Sequence, residues 1–294
     1  MIRTYRFLST AFLFLFLALQ VAAGDKLLVS GCGIRDLNII DKKTKTIEWT
    51  HKLVPGEECN DAEITKKGEV LYAYKKGARL ITYKEQAVVW DFRALPGEEV
   101  FTATQLKNGN YIVAACGHPS RIIELNRKGD TVRIIRFNTG IKGVHGQFRQ
   151  ILPTPRGTFL IALMAKGEVI EMDDKGTVLK RVAVGGSPFS VKIIKNGNWL
   201  VGCGDGHNIK EVDPVQEKVV ATIDKSVLSG IQLLFVAEVN RLKNGNTLFA
   251  NWEGHTNDTT QYKIIELDKK NNVVWGIKDC KIANRTATLF PFKK

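Results

Sequence analysis

The sequence predicts an all-β fold, a six-bladed β-propeller of four-stranded antiparallel blades. Three observations predict it. The tetrapeptide Lys-Asn-Gly-Asn occurs at 107–110, 195–198 and 243–246, each time ahead of an apolar strand. With weaker copies at 24–29, 67–72 and 156–161, the marker glycines 24, 68, 109, 157, 197 and 245 are spaced by 44, 41, 48, 40 and 48 residues, a propeller period. No stretch after the N-terminal segment shows helical periodicity.

The composition agrees. With 44% hydrophobic and 25% charged residues, 26 Gly and 8 Pro among 294, the chain is globular rather than disordered, collagen-like or disulfide-dense. Its 43 Lys+Arg against 30 Asp+Glu give a net charge of +13, which means a solvated surface or an anionic partner.

In chain order, residues 1–23 carry Arg3 and Arg6, an apolar run from Ala11 to Leu19, and the small pair Ala22 and Ala23. This is the pattern of a secretory signal peptide cleaved after Ala23, and its apolar run is shorter than the roughly 20 residues of a membrane span. The mature chain, at +11 with 41 Lys+Arg against 30 Asp+Glu, is therefore expected to be secreted or periplasmic, without a transmembrane anchor. Val29-Ser30-Gly31-Cys32 would suit a lipoprotein box. However, the segment recurs as Leu200-Val201-Gly202-Cys203 inside the repeats, so Cys32 is read as part of a strand.

Residues 24–294 are then one propeller domain. In each copy the Asn-Gly pair sits between two apolar runs and predicts a hairpin with a type I′ turn, both central residues at positive φ. A third strand ends in an acid or Asn, as in Ile122-Ile123-Glu124-Leu125-Asn126 and Ile264-Ile265-Glu266-Leu267-Asp268. A tight turn leads to a fourth strand such as Val88-Val89-Trp90 or Val273-Val274-Trp275. The first copy begins at its second strand, and residues 282–290 are left over at the far end. They are expected to form the innermost strand of blade one and close the ring. Trp49, Trp90 and Trp275 share the fourth-strand position and should pack between blades, as should Trp199.

The Asn-Gly-Asn hairpin, the acid-ended third strand and the Val-Val-Trp fourth strand resemble the repeats of secreted quinoprotein-like and arylsulfotransferase-like propellers. Residues 41–49 (Asp-Lys-Lys-Thr-Lys-Thr-Ile-Glu-Trp) resemble the tryptophan-docking repeat of PQQ-type propellers, with Lys45-Thr46 where that repeat has Gly-Lys. The resemblance implies the fold; many activities share it.

Function is sought on the face of the ring where loops run into the innermost strands, because the opposite, hairpin face is uniform. The residues singled out as ligand-binding are Asp61 and Glu63, Thr102, Gln147, Ser190, Glu238, and Asn284 with Arg285. The loops after second strands add His118, His207, Trp252 and His255. Alternation would turn the innermost-strand polar residues into the central channel. Four of the five His would then share one rim, and Trp252 is the aromatic expected to touch a ligand. Read structurally, the same residues are turn and tunnel side chains. The three loop His lie in different blades without a His-x-His or Cys-x-x-Cys pair, so no metal site is expected. The 144–153 segment, Val-His-Gly-Gln-Phe-Arg-Gln-Ile-Leu-Pro, resembles the histidine-bearing segment of arylsulfotransferase-like propellers. That resemblance would make His145 nucleophile or general base and Arg149 a holder of sulfuryl or phosphoryl oxygen. No cofactor is expected, since neither a vicinal Cys pair nor a calcium and base set for PQQ is present.

Five Cys leave at least one thiol unpaired within the chain; Cys32 and Cys280 are the pair expected to meet at the closing strand. The expectation is a monomeric, exported binding module with a small-molecule, glycan or polypeptide ligand at the channel mouth, and no nucleic-acid role. The alternative is a group-transfer or quinoprotein-like enzyme using His145 and Arg149.

Overall fold

A computed structural model describes residues 25–31 and 33–293. The expected leader at 1–23 and Cys32, with its expected bond to Cys280, lie outside them; Cys280 itself is an exposed free thiol. The described chain forms six four-stranded antiparallel sheets arranged as blades. The innermost strands Cys59–Ile64, Glu99–Gln105, Phe148–Pro153, Ser190–Ile193 and Val236–Arg241 open blades two to six and touch their neighbours around the axis. Blade one begins at its second strand, Lys26–Ser30, and takes its innermost strand from Thr288–Phe292, antiparallel from Lys26↔Phe292 to Ser30↔Thr288. The ring is thus closed by its C-terminal strand, but later in sequence than the expected 282–290. The reason is a turn: the Asp279 carbonyl accepts from Ile282 and Ala283, and its carboxylate from the Lys281 N–H.

The core is divided among the blade interfaces. Six hydrophobic clusters each join two neighbouring sheets, as where Phe101 and Ile112 of blade three meet Phe159 and Ile161 of blade four. Middle strands are therefore apolar on both faces: Val70–Tyr74 and Tyr111–Cys116 are buried at every position. Outermost strands such as Lys218–Ile223 are mostly exposed. Two of the fourth-strand tryptophans bond forward, Trp49 Nε1 to Tyr83 O of blade two at 2.9 Å and Trp275 Nε1 to Lys42 O of blade one at 2.8 Å. Trp90 packs on Tyr111 of blade three.

The hairpins differ from the expected type I′ geometry. In Leu106-Lys107-Asn108-Gly109-Asn110 only Gly109 has positive φ, at 90°, and its N–H bonds Leu106 O. This is a three-residue loop in which a type I turn ends on a left-handed glycine. The asparagines have a different task. Asn108 Oδ1 accepts from the Asn110 N–H, and both Nδ2 groups donate to Glu124 on the third strand. The same bond joins Asn198 to Glu211 and Asn246 to Glu266, each at 2.7 Å. The hairpin motif and the third-strand glutamate are one unit.

Candidate ligand-binding site at the channel mouth

Where loops run into the innermost strands, the channel opens into a cavity of about 280 Å³. Its wall is largely aromatic: Phe101, Phe189, Phe235 and Trp252, with Met164 beside them. Phe235 is the centre of an edge-to-face group, with ring centroids 5.4 Å from Phe189, 5.3 Å from Trp252 and 5.6 Å from His255. Such contacts fix the rings, since a face presents negative and an edge positive charge. The Nε1 of Trp252 is buried and has no hydrogen bond among the described residues.

Two imidazoles stand in the rim, each on a carboxylate. His145 Nδ1 lies 2.8 Å from Glu99 Oε2, and His255 Nδ1 lies 3.0 Å from Asp205 Oδ1. Burial would raise the Glu99 carboxyl, but its bonds to His145 and Lys75 prevail and hold it below the usual range. Arg149 places its guanidinium 4.0 Å from the Phe101 ring centre and donates to the carbonyls of His145 and Phe148. Two short 3₁₀ turns, Val144–Gly146 and Met164–Lys166, bring His145 and Met164 to the mouth.

Below the mouth the channel holds Asp61, Glu63 and Glu238 with one ammonium, Lys192, whose Nζ is 2.5 Å from Glu238 Oε1. Burial, then repulsion from Glu238, pushes Asp61 well above the usual carboxylate range despite Lys192. Burial pushes Glu63 up to about 7, against the bonds it accepts from Thr104 and the Gln105 N–H. Burial works against the Lys192 ammonium, but the Glu238 carboxylate outweighs it and raises its pKa.

Of the residues singled out in the sequence, His145, Arg149, Trp252 and His255 line the cavity together. Asp61, Glu63 and Glu238 lie deeper. Thr102 and Ser190 are buried between blades instead of facing the channel. Thr102 Oγ1 bonds Arg149 O and accepts from Ile151 N, and Ser190 Oγ bonds Ala237 O and accepts from Val239 N. Gln147 is 1% exposed and braces Gly117 and Ser120. His118 bonds Lys142 O and His207 bonds Leu234 O, both outside the cavity lining. Asn284 is exposed in the turn before the closing strand; the Arg285 N–H bonds Glu253 and its guanidinium bonds Asn257.

Strict alternation misses Phe101, Phe189 and Phe235. The innermost strands of blades two, three, four and six shift register near the mouth: between Cys59 and Asp61, Val100 and Thr102, Phe148 and Ile151, and Val236 and Val239. A bulge leaves a residue unpaired and turns its side chain to a new direction. Asn60, Phe101 and Arg149 occupy these shifts and face the mouth. The available signal was a Phe just before an innermost strand, at 189 and 235, or two residues into one, at 101.

The family model described as Mal s 1 allergenic protein-like matches residues 35–272. Among solved structures, a protein of unknown function from Bacteroides caccae is 37% identical with a TM-score of 0.87, covering 92% of this chain and 100% of that one. Virginiamycin B lyase from Staphylococcus aureus, solved with quinupristin, is 13% identical with a TM-score of 0.60, over 90% of this chain and 88% of that one. A chain of a nidogen/laminin complex is 11% identical with a TM-score of 0.68, over 90% and 97%. These two share the fold. No curated protein matches the chain. The resemblance to quinoprotein-like and arylsulfotransferase-like repeats carries as far as the six-bladed architecture.

Proposed function

The chain belongs to the Mal s 1 allergenic protein-like family, and from that footing we propose that it is an exported binding module whose ligand sits in the channel mouth. The observation that carries this reading is the aromatic-walled cavity on the face opposite the hairpins. Ligand sites are concave, mostly apolar and furnished with a few convergent polar groups, and here those groups are His145, His255, Arg149 and Asn60. The expected occupant is a small molecule, or one side chain or ring of a polypeptide or glycan. Residues 1–23 supply the export signal, and no helix among the described residues is long and apolar enough to cross a membrane. The test is titration with the neutral apolar fluorophore N-phenyl-1-naphthylamine. Saturable one-to-one binding that is lost in Trp252→Ala and Phe235→Ala, with their thermal melts intact, supports the site. Binding indifferent to both substitutions overturns it.

One contact favours a second reading, a group-transfer enzyme. The imidazole of His145 is oriented by the Glu99 carboxylate, as a general base would be. Arg149 would have to leave its place over Phe101 to hold a transferred group. His145→Ala separates the two: lost turnover with folding intact supports the enzyme, and weakened binding without turnover supports the module.

A further inference from the structure

The charge inside the ring runs against the charge of the whole chain. The protein carries +13 overall, yet the channel beneath the mouth sets three carboxyl groups, Asp61, Glu63 and Glu238, against the single ammonium of Lys192. Burial above all, and for Asp61 the neighbouring Glu238, holds Asp61 and Glu63 above the usual carboxylate range, and a cation entering the channel would draw them back towards the charged form. At the mouth, Glu58, Glu99 and Asp205 face Lys75 and Arg149. Both of those cations are already engaged, Lys75 at 3.1 Å from Glu99 and Arg149 on the Phe101 ring.

The second observation is the wall. Aromatic faces attract cations that shed water easily, above all substituted ammonium and guanidinium groups. The mouth already uses this attraction, because the Arg149 guanidinium rests over Phe101. An anion would meet ring faces and the acids below, and a neutral ligand would gain nothing from those acids.

We propose that the channel mouth selects ligands carrying an organic cation, an alkylated ammonium or a guanidinium, on an apolar body. The body would lie against Phe189, Phe235 and Trp252 and the cation would point down the channel towards Asp61 and Glu238. This rests on the reading of the mouth as a binding site, and its test keeps the two apart.

Three probes of similar size are compared on the full chain by tryptophan fluorescence and calorimetry at neutral pH: phenyltrimethylammonium, neutral N,N-dimethylaniline and benzenesulfonate. The cation is expected to bind about tenfold more tightly than the neutral amine, with affinity falling as salt rises. Glu238→Gln should weaken the cation several-fold and leave the amine unchanged. Lys192→Met should act in the opposite direction and tighten the cation, so the inference stays testable if one variant fails to fold. Dimethylaniline or benzenesulfonate binding as tightly as the cation, in a manner abolished by Trp252→Ala, overturns the charge selection and leaves the site standing. Absence of Trp252-dependent binding by any probe overturns both.

Discussion

Lys263 Nζ lies 3.3 Å from Glu253 Oε1, and neither side chain reaches water: Lys263 is 0% exposed and Glu253 2%. The pair anchors the long loop of blade six. Lys263 also donates to Asp258 O, while Glu253 accepts from the Arg285 N–H in the turn before the closing strand. Removing one partner of such a pair strands the other charge out of water, which costs about 3–5 kcal/mol. Lys263→Met is therefore expected to lower the urea unfolding free energy by that order, and Lys263→Met with Glu253→Gln should recover part of it. A single variant within about 0.5 kcal/mol of wild type would show that the pair does not hold the loop.

The asparagine–glutamate unit of the hairpins makes a second prediction. Glu211 accepts from Asn196 at 3.1 Å and Asn198 at 2.7 Å. Its replacement by Ala removes the shared acceptor and should cost about 1–2 kcal/mol, while Gln, which keeps one acceptor oxygen, should cost less. Equal losses in chemical denaturation for the two variants would assign the effect to packing instead.

Glu63 makes stability depend on pH. Its folded pKa of about 7 stands above the ordinary carboxylate value of 4.5, so the folded state binds the proton more tightly than the unfolded chain. That contribution is complete below about pH 4.5 and is lost as pH rises through about 7. The residue keeps partial exposure into a channel open to water, so we set the loss at roughly 2 kcal/mol. Asp61 is displaced in the same direction, and the quantity to measure is accordingly the difference between wild type and Glu63→Gln. Unfolding free energies at pH 5 and pH 8 should fall further apart in wild type than in the variant; parallel profiles would refute the assignment.

Closure of the ring can be tested by truncation. A chain ending at residue 287 loses every pairing from Lys26↔Phe292 to Ser30↔Thr288 and leaves Lys26–Ser30 an unpaired edge. It is expected to unfold without a cooperative transition in calorimetry. A melt like that of the full chain would mean that blade one stands without its innermost strand.

The blades were legible in the sequence because the repeat is a one-dimensional signal: glycine markers, apolar alternation and a fourth-strand Trp survive translation into strands almost residue for residue. The leftover segment near the C-terminus was legible by counting, but its bounds were set too early, since the turn that Asp279 organises delays the strand to Thr288–Phe292. The mouth was legible in part. Trp252, His145 and His255 sit in loops, where no strand period can misdirect them. Phe101 sits within a register shift that alternation cannot anticipate, and Thr102 directly after it: the hydroxyl went between blades and the ring went to the opening. Type I′ geometry was inferred from an Asn-Gly pair whose asparagines were occupied with the third-strand glutamate.

The polar side chains near the axis bind forward around the ring. Asn60 donates to Val100 O, Thr102 to Arg149 O, Ser190 to Ala237 O and Asn240 to Leu289 O, while Gln150 accepts from Val191 N. At five of the six junctions the innermost strands are laced in this way, backbone to side chain, in the same rotational sense. An opening bound in this way behaves as a fixed aperture, not an iris, because widening it at one blade would strain the stitches on both sides. Discrimination at the mouth would then be by gauge, with each guest tested against a bore set before it arrives.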